Sequence, residues 1–293
     1  MDRSLADTAA AEQVFFPSYV RQGKDQCTFE MTLSAKHHWM LREHRIGQFS
    51  ALPATGFLEL AFAACRLYFH WFAIEITKLT ISQPLLMQPD EEAKLRILFT
   101  GDADQATFSI TCLRSDGNSA VHVTGTAARV VGNTDLKFDV AACKTVYQTM
   151  ASHEQQTGVA TDAHVAYQLA FGRRWLDVYR QVWRSADKGI ALLSLDPAFV
   201  SDVDTYLLHP ALLDVAITLL LDNPMLAPFQ FRSIRHYRPL PAQYYCHATS
   251  RSAAGGIETD IVIADVEGNI LLEIDKYYLL EVSEDQLTSM TGN

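Results

Sequence analysis

A chain of 293 residues is long enough for one large domain or two of ordinary size, and 48% hydrophobic against 20% charged residues is a globular make-up, not a disordered one. The balance of 24 basic against 34 acidic residues leaves a net charge of −10 at pH 7, whereas a nucleic-acid binder should carry a basic stripe. No uncharged apolar run is long enough to span a bilayer, so no membrane segment is expected. At the start, Met1-Asp2-Arg3-Ser4 leads into polar and small residues without the apolar stretch of a signal peptide, which predicts a cytoplasmic protein. Between Gln26 and Leu33 the apolar residues Cys27, Phe29, Met31 and Leu33 alternate, the pattern of a half-buried strand. From Pro53 to Phe69 the pattern becomes a long apolar run, with Pro53 suited to the first turn of a helix because its missing N–H would be unpaired there anyway. Such a helix, apolar nearly all round, must be surrounded by protein. Strands are predicted over Lys94–Thr100 and Thr107–Leu113, and Asp116-Gly117 turns a hairpin into Ala120–Val131.

From about Ala141 to His164 the residues are small and polar with neither hydrophobic period, so 141–165 is predicted to link a first half, 1–140, to a second, 166–293. The second half repeats the plan. Strand-like Asp177–Arg184 and Gly189–Leu195 precede His209-Pro210, which opens a second apolar helix over Ala211–Leu221. Strands return at Tyr244–Thr249, Thr259–Ala264 and Ile270–Leu280, the last two joined by a Glu267-Gly268-Asn269 turn. One sheet face would leave the far side of either helix wet, so each is expected to be wrapped by an antiparallel sheet, an α+β architecture. Cys27, Cys65, Cys112, Cys143 and Cys246 are odd in number and scattered, which reads as reduced thiols and no metal site.

Two positions stand out chemically. On the second helix only Asp214 and Thr218 are polar between Leu212 and Leu221, and a spacing of four puts them on one face. Pro210 takes the first-turn position, which leaves Asp214 a full turn too deep to be a cap. A carboxylate on a buried apolar helix needs a partner or a raised pKa, so it is either a structural hydrogen-bonding group or a general acid. His44 follows His37 and His38, a spacing that fits no usual metal set. On spacing alone it is an ordinary surface or core-edge histidine or a base.

A resemblance decides between these alternatives. His44-x3-Gln48-x4-Pro53 resembles the HxxxGxxxxP signature of polyketide synthase dehydratase domains, and His38-Trp39-Met40-Leu41-Arg42-Glu43-His44-Arg45-Ile46 is similar to that family's HpWLxDHxV lead-in. Leu208-His209-Pro210-Ala211-Leu212-Leu213-Asp214 resembles its LHPALLD segment, and Tyr167-Gln168-Leu169-Ala170-Phe171 stands in the place of its YGPxF element. There are departures. The motif glycine is Gln48 with Gly47 one place early, the glycine after the proline is Ala54, the DxxxQ or DxxxH pair ends in Thr218, and YGPxF has lost its Gly-Pro.

The resemblance, which runs from about Gln26 to Glu281, implies a double hotdog and dehydration of a carrier-bound 3-hydroxyacyl thioester to the 2,3-enoyl thioester during polyketide chain elongation. His44 would be the base and Asp214 the acid, with Pro53, Ala54, Gly56, Tyr167 and Thr218 binding substrate. Backbone N–H groups near Ala54 to Gly56 would meet the thioester oxygen, and Thr218 would orient the Asp214 carboxyl. No bound cofactor is implied, since the phosphopantetheine belongs to the acyl carrier protein. Partners would be that carrier, the neighbouring synthase domains and a second copy of the chain. Rival readings on the same fold are an oxa-Michael, pyran-forming cyclase and an enoyl isomerase; a rival of another class is a non-catalytic dimerisation and docking module. Arg173, Arg174, Arg180 and Arg184 form a basic cluster in an acidic chain, which is either a solvated face or a docking patch for an acidic carrier.

Overall fold

The computed structural model describes residues 15–16, 19–23, 25–113, 119–150, 169–221 and 226–283. The Asp116-Gly117 turn, Tyr167 and the polar stretch 151–164 lie outside them. In the first half, strands β1 (Tyr19–Gln22) and β2 (Gln26–Ser34) precede a one-turn helix α1 (Trp39–Arg42) and a tight hairpin of β3 (His44–Ile46) and β4 (Phe49–Ala51). The long helix α2 (Ala54–Phe69) follows, then β5 (Ile74–Ile81), β6 (Leu86–Met87), β7 (Glu92–Gly101), β8 (Gln105–Leu113) and β9 (Ser119–Arg129). Every residue of α2 from Thr55 to Cys65 is buried, as a helix apolar all round requires. The alternation read in β2 and β7 matches their burial: Cys27, Phe29, Met31 and Leu33 turn inward, as do Leu95, Ile97 and Phe99.

A helix α3 (Val140–Met150) leads to the second half: β10 (Leu169–Phe171), β11 (Tyr179–Arg184), β12 (Lys188–Ser194), helix α4 (Pro210–Ile217), β13 (Leu226–His236), β14 (Gln243–Ala253), β15 (Gly256–Ala264) and β16 (Ile270–Glu281). Twelve strands form one antiparallel sheet in the order β1-β2-β7-β8-β9-β5-β13-β16-β15-β14-β12-β11. Six come from each half. The seam lies between β5 and β13, where Ile76 pairs with Ile234 and Leu79 with Phe231, all four fully buried. This is the double hotdog: α2 and α4, one per half, pack on each other inside the sheet.

A second sheet, β10-β3-β4-β6, also crosses between halves, pairing Phe171 with His44 and Leu169 with Ile46. Gly47 sits in the β3–β4 turn. Ile46 pairs with Phe49 across a two-residue turn, and Gly47, at its first position, has φ 58°. A hairpin of the right-handed twist takes glycine there at no steric cost.

Two sequence expectations need correction. The segment from 141 was read as aperiodic linker, but α3 occupies its start, with Asp139 accepting from the Ala142 N–H at 2.8 Å as a cap. It is held to β14 of the twelve-stranded sheet by Lys144 Nζ donating to the Tyr245 hydroxyl (2.6 Å) and by Tyr147 with His247 (3.0 Å). Those ties are long-range polar contacts, which hydrophobic periodicity cannot register. The second helix also ends earlier than expected, at Ile217, where Thr218 caps it with its hydroxyl on the carbonyls of Asp214 (2.9 Å) and Val215 (3.1 Å).

Candidate active site

His44 opens β3 and is almost fully buried. Its Nδ1 lies 2.9 Å from the carbonyl oxygen of Ala51, across the hairpin. A carbonyl can only accept, so Nδ1 carries the proton and Nε2 is left with its lone pair. The β3–β4 hairpin therefore fixes both the orientation of the ring and its tautomer. Phe171 and Trp175 enclose it, their ring centroids 5.4 and 5.7 Å away.

Asp214 lies on the second turn of α4. The cap of that helix is His209, whose Nδ1 accepts from the Leu212 N–H at 3.2 Å, so Asp214 is free of that task. Its Oδ2 accepts from the indole N–H of Trp175 at 2.9 Å. Trp175 thus touches both groups: its ring lies beside the imidazole and its N–H holds the carboxyl. Burial pushes the Asp214 carboxyl above its ordinary range, and the His44 charge and the indole N–H offset this in part. Burial pushes His44 below 6.5, opposed by Asp214 and Ala51 O. Both directions favour the uncharged forms, a neutral imidazole beside a protonated carboxyl. That is one acid and one base in a single buried site.

The two helix starts are tied together. Thr55 on α2 donates its hydroxyl to Pro210 O at 2.8 Å. One turn on, the Glu59 carboxylate accepts from the N–H groups of Leu207 (3.1 Å) and Leu208 (2.7 Å), the residues leading into α4. Glu59 has no exposed surface, and burial raises its pKa to about 7.

The other expected site residues fare differently. Pro53 is the cap of α2 and Ala54 its first residue. Gly56 N–H closes on Pro53 O at 2.9 Å, so it is not an open donor; the unpaired N–H groups at this helix start are those of Ala54 and Thr55. The Thr218 hydroxyl donates to the backbone carbonyls of Asp214 and Val215, not to the Asp214 carboxyl. The arginine cluster is internally paired: Arg173 with Asp196, Arg174 with Glu43 and Asp202, Arg180 with the carbonyls of Asp177 and Ser194, and Arg184 with Leu219 O. Arg174 is mostly buried and is not part of a docking face. Sequence reasoning missed Trp175 and Glu59. A signal existed for the second, because the argument made for a carboxylate on the apolar helix α4 applies equally to one on α2. Among the described residues no group of histidine, cysteine and carboxylate side chains is placed to hold a metal ion.

Comparison with known proteins points to one family. A family model described as polyketide synthase dehydratase domain matches residues 16–112, and one described as polyketide synthase dehydratase N-terminal domain matches residues 144–289. The chain belongs to the polyketide synthase dehydratase family. Dehydratase domains of that family are hydro-lyases of 3-hydroxyacyl thioesters. Among curated relatives, it is 25% identical over 257 residues to the mycocerosic acid synthase-like polyketide synthase of Mycobacterium tuberculosis, covering 80% of this chain and 12% of that protein. It is 25% identical over 288 residues to polyketide synthase GfsB of Streptomyces halstedii, covering 91% of this chain and 5% of that one. The chain therefore spans only a small part of the synthases it matches. The dehydratase domain from the CurJ module of curacin polyketide synthase superposes with a TM-score of 0.79 at 16% identity, covering 94% of this chain and 98% of that one. The dehydratase domain of a mycocerosic acid synthase-like synthase gives 0.74 at 20%, with 92% and 96% covered.

Proposed function

We propose that His44 and Asp214 of this dehydratase carry the elimination between them. The Nε2 lone pair of His44 takes the proton from C2 of the 3-hydroxyacyl thioester, and the C2–C3 double bond forms as the C3–O bond breaks. The protonated Asp214 donates to the departing hydroxyl, which leaves as water. Charge developing on the thioester oxygen is met by the N–H groups of Ala54 and Thr55 at the positive end of α2. The observation that carries the assignment is the hydrogen bond from His44 Nδ1 to Ala51 O, which leaves a base beside a carboxyl held by Trp175.

The acyl group arrives on the phosphopantetheine of an acyl carrier protein, and the two side chains perform both proton transfers without a bound cofactor. Neighbouring synthase domains and a second copy of the chain complete the partners, and the setting is the cytoplasm. Strand β1, exposed along all four residues at the end of the sheet, supplies an open edge for the second copy. No helix among the described residues is long and apolar enough to cross a membrane.

The test is mass analysis of 3-hydroxyacyl carrier substrates with the parent chain, His44→Ala and Asp214→Asn. Loss of water is expected from the parent. His44→Ala should abolish both this and exchange of the C2 hydrogen with deuterated water, and Asp214→Asn should slow dehydration by about 10²–10⁴-fold. A folded variant that dehydrates near the parent rate refutes its assigned role. A parent product of unchanged mass that has cyclised refutes simple dehydration.

A further inference from the structure

One cluster of charges outside the dyad joins the residues next to both of its members. Glu43 directly precedes His44, and Arg174 directly precedes Trp175, the residue whose indole N–H holds Asp214. Glu43 and Arg174 come from different halves, yet the Arg174 guanidinium pairs with Glu43 Oε1 and the Arg174 backbone N–H donates to Oε2 at 3.2 Å. The same guanidinium donates through Nε to Asp202 Oδ2 at 2.6 Å, and that oxygen lies 3.5 Å from Nε2 of His209, the cap of Asp214's helix. The Trp39 and Phe199 rings both pack against it, their centroids 4.6 and 4.2 Å from the guanidinium carbon. All three charged side chains are less than a fifth exposed, so the pairs are little screened and their geometry is tightly set.

The backbone is built to admit this contact. Gly172 N–H donates to Glu43 O at 2.7 Å, and a Cβ at Gly172 would overlap the Glu43 side chain. The chain from β10 to Trp175 therefore has one seat against the residue before His44. An arginine suits the place because a planar fork can reach two carboxylates in different directions while packing against two rings; an ammonium cannot.

We propose that Arg174 is a positioning residue that registers the two halves at the active site, seating Trp175 between His44 and Asp214 through its bridge from Glu43 to Asp202. It touches neither reacting group and acts through the Trp175 indole. This rests on the His44–Asp214 reading above.

The test uses the whole chain and a 3-hydroxyacyl N-acetylcysteamine thioester, with Arg174→Met, Arg174→Lys, Trp175→Phe and the Arg174→Met/Trp175→Phe pair. Arg174→Met should lower kcat about 10- to 100-fold with KM within about twofold, the scale of a misplaced catalytic group. Loss of the indole hydrogen bond removes support for ionised Asp214, so the alkaline limb of the pH–rate profile should move to higher pH in Arg174→Met and in Trp175→Phe. The double variant should be no slower than the worse single one, since both act at one hydrogen bond. Arg174→Lys, which keeps the charge and folds if Arg174→Met does not, should still lose part of kcat. A parental kcat and alkaline limb in Arg174→Lys and Arg174→Met would overturn the proposal, and so would losses that multiply in the double variant. Running His44→Ala and Asp214→Asn beside them separates the two failures. If those are inactive while the Arg174 variants are normal, only the positioning role falls; if those turn over like the parent, the dyad falls and the proposal with it.

Discussion

Replacing Glu59 by glutamine isolates the energetic consequence of placing a carboxylate inside α2. Its pKa is raised from 4.5 to about 7 by burial, so the folded chain holds this proton more tightly than the unfolded one. Stability from this group is therefore complete below about pH 4.5 and is lost as pH rises through about 7. For those two values, linkage gives a loss of about 0.8 kcal/mol by about pH 5 and about 3.3 kcal/mol by about pH 8, a difference of about 2.5 kcal/mol. Glutamine does not titrate, so it lacks this slope. It also has one carbonyl oxygen where the carboxylate had two, and either the Leu207 or the Leu208 N–H loses its acceptor at a cost of about 1–3 kcal/mol at any pH. Glu59→Gln should thus be less stable than the parent near pH 5 and gain about 2.5 kcal/mol relative to it by about pH 8. Urea unfolding of both chains at the two pH values, with slopes compared to confirm two-state behaviour, reads the difference directly. A stability gap that is the same at both would show that Glu59 does not titrate in this window, and the reasoning from its burial would be wrong.

Other outcomes follow from the same geometry. Thr218→Val should leave kcat within about twofold, because the hydroxyl serves backbone carbonyls and costs about 1 kcal/mol of stability at most, read by urea melts. Gly172→Ala, whose Cβ meets the Glu43 side chain, should cost about 1–3 kcal/mol of stability in the same assay and lower turnover of small thioesters, whereas a parental value of both would mean the β10 segment simply shifts. The acid limb of kcat/KM should lie below 6.5, since burial lowers the His44 pKa and the imidazole must be neutral to act; a limb above 6.5 would contradict its buried setting. His236, wholly buried against Phe62, is held down to about 3, so the unfolded chain binds the extra proton and the contribution of this group falls by about 2 kcal/mol between about pH 7.5 and about pH 5, opposite in sign to that of Glu59; His236→Phe should therefore gain about 2 kcal/mol on the parent over that window, read by urea melts at the two pH values.

The sequence by itself determined the local elements and singled out the two groups proposed to react. Alternation in β2, β7 and β8 and the all-apolar run of α2 follow from side-chain period alone, and they stand in the structure as read. Asp214 was legible because a carboxylate on an apolar helix conflicts with its surroundings, and His44 because its spacing to Pro53 matched a known signature. The tertiary structure decided what those groups have as partners. Ala51 O sets the tautomer of His44 from seven residues away, and Trp175 reaches Asp214 across 39. Glu59 ties α2 to residues 148 and 149 positions on, and Glu43 meets Arg174 at a separation of 131. The β5–β13 seam and the β3–β10 pairing likewise join the halves at long range. Thr218 bonds back to its own helix where that helix ends, and Arg173 and Arg174 find their counter-charges in other segments. Periodicity registers what a residue repeats with nearby, and hydrogen bonds between distant segments leave no period in the chain.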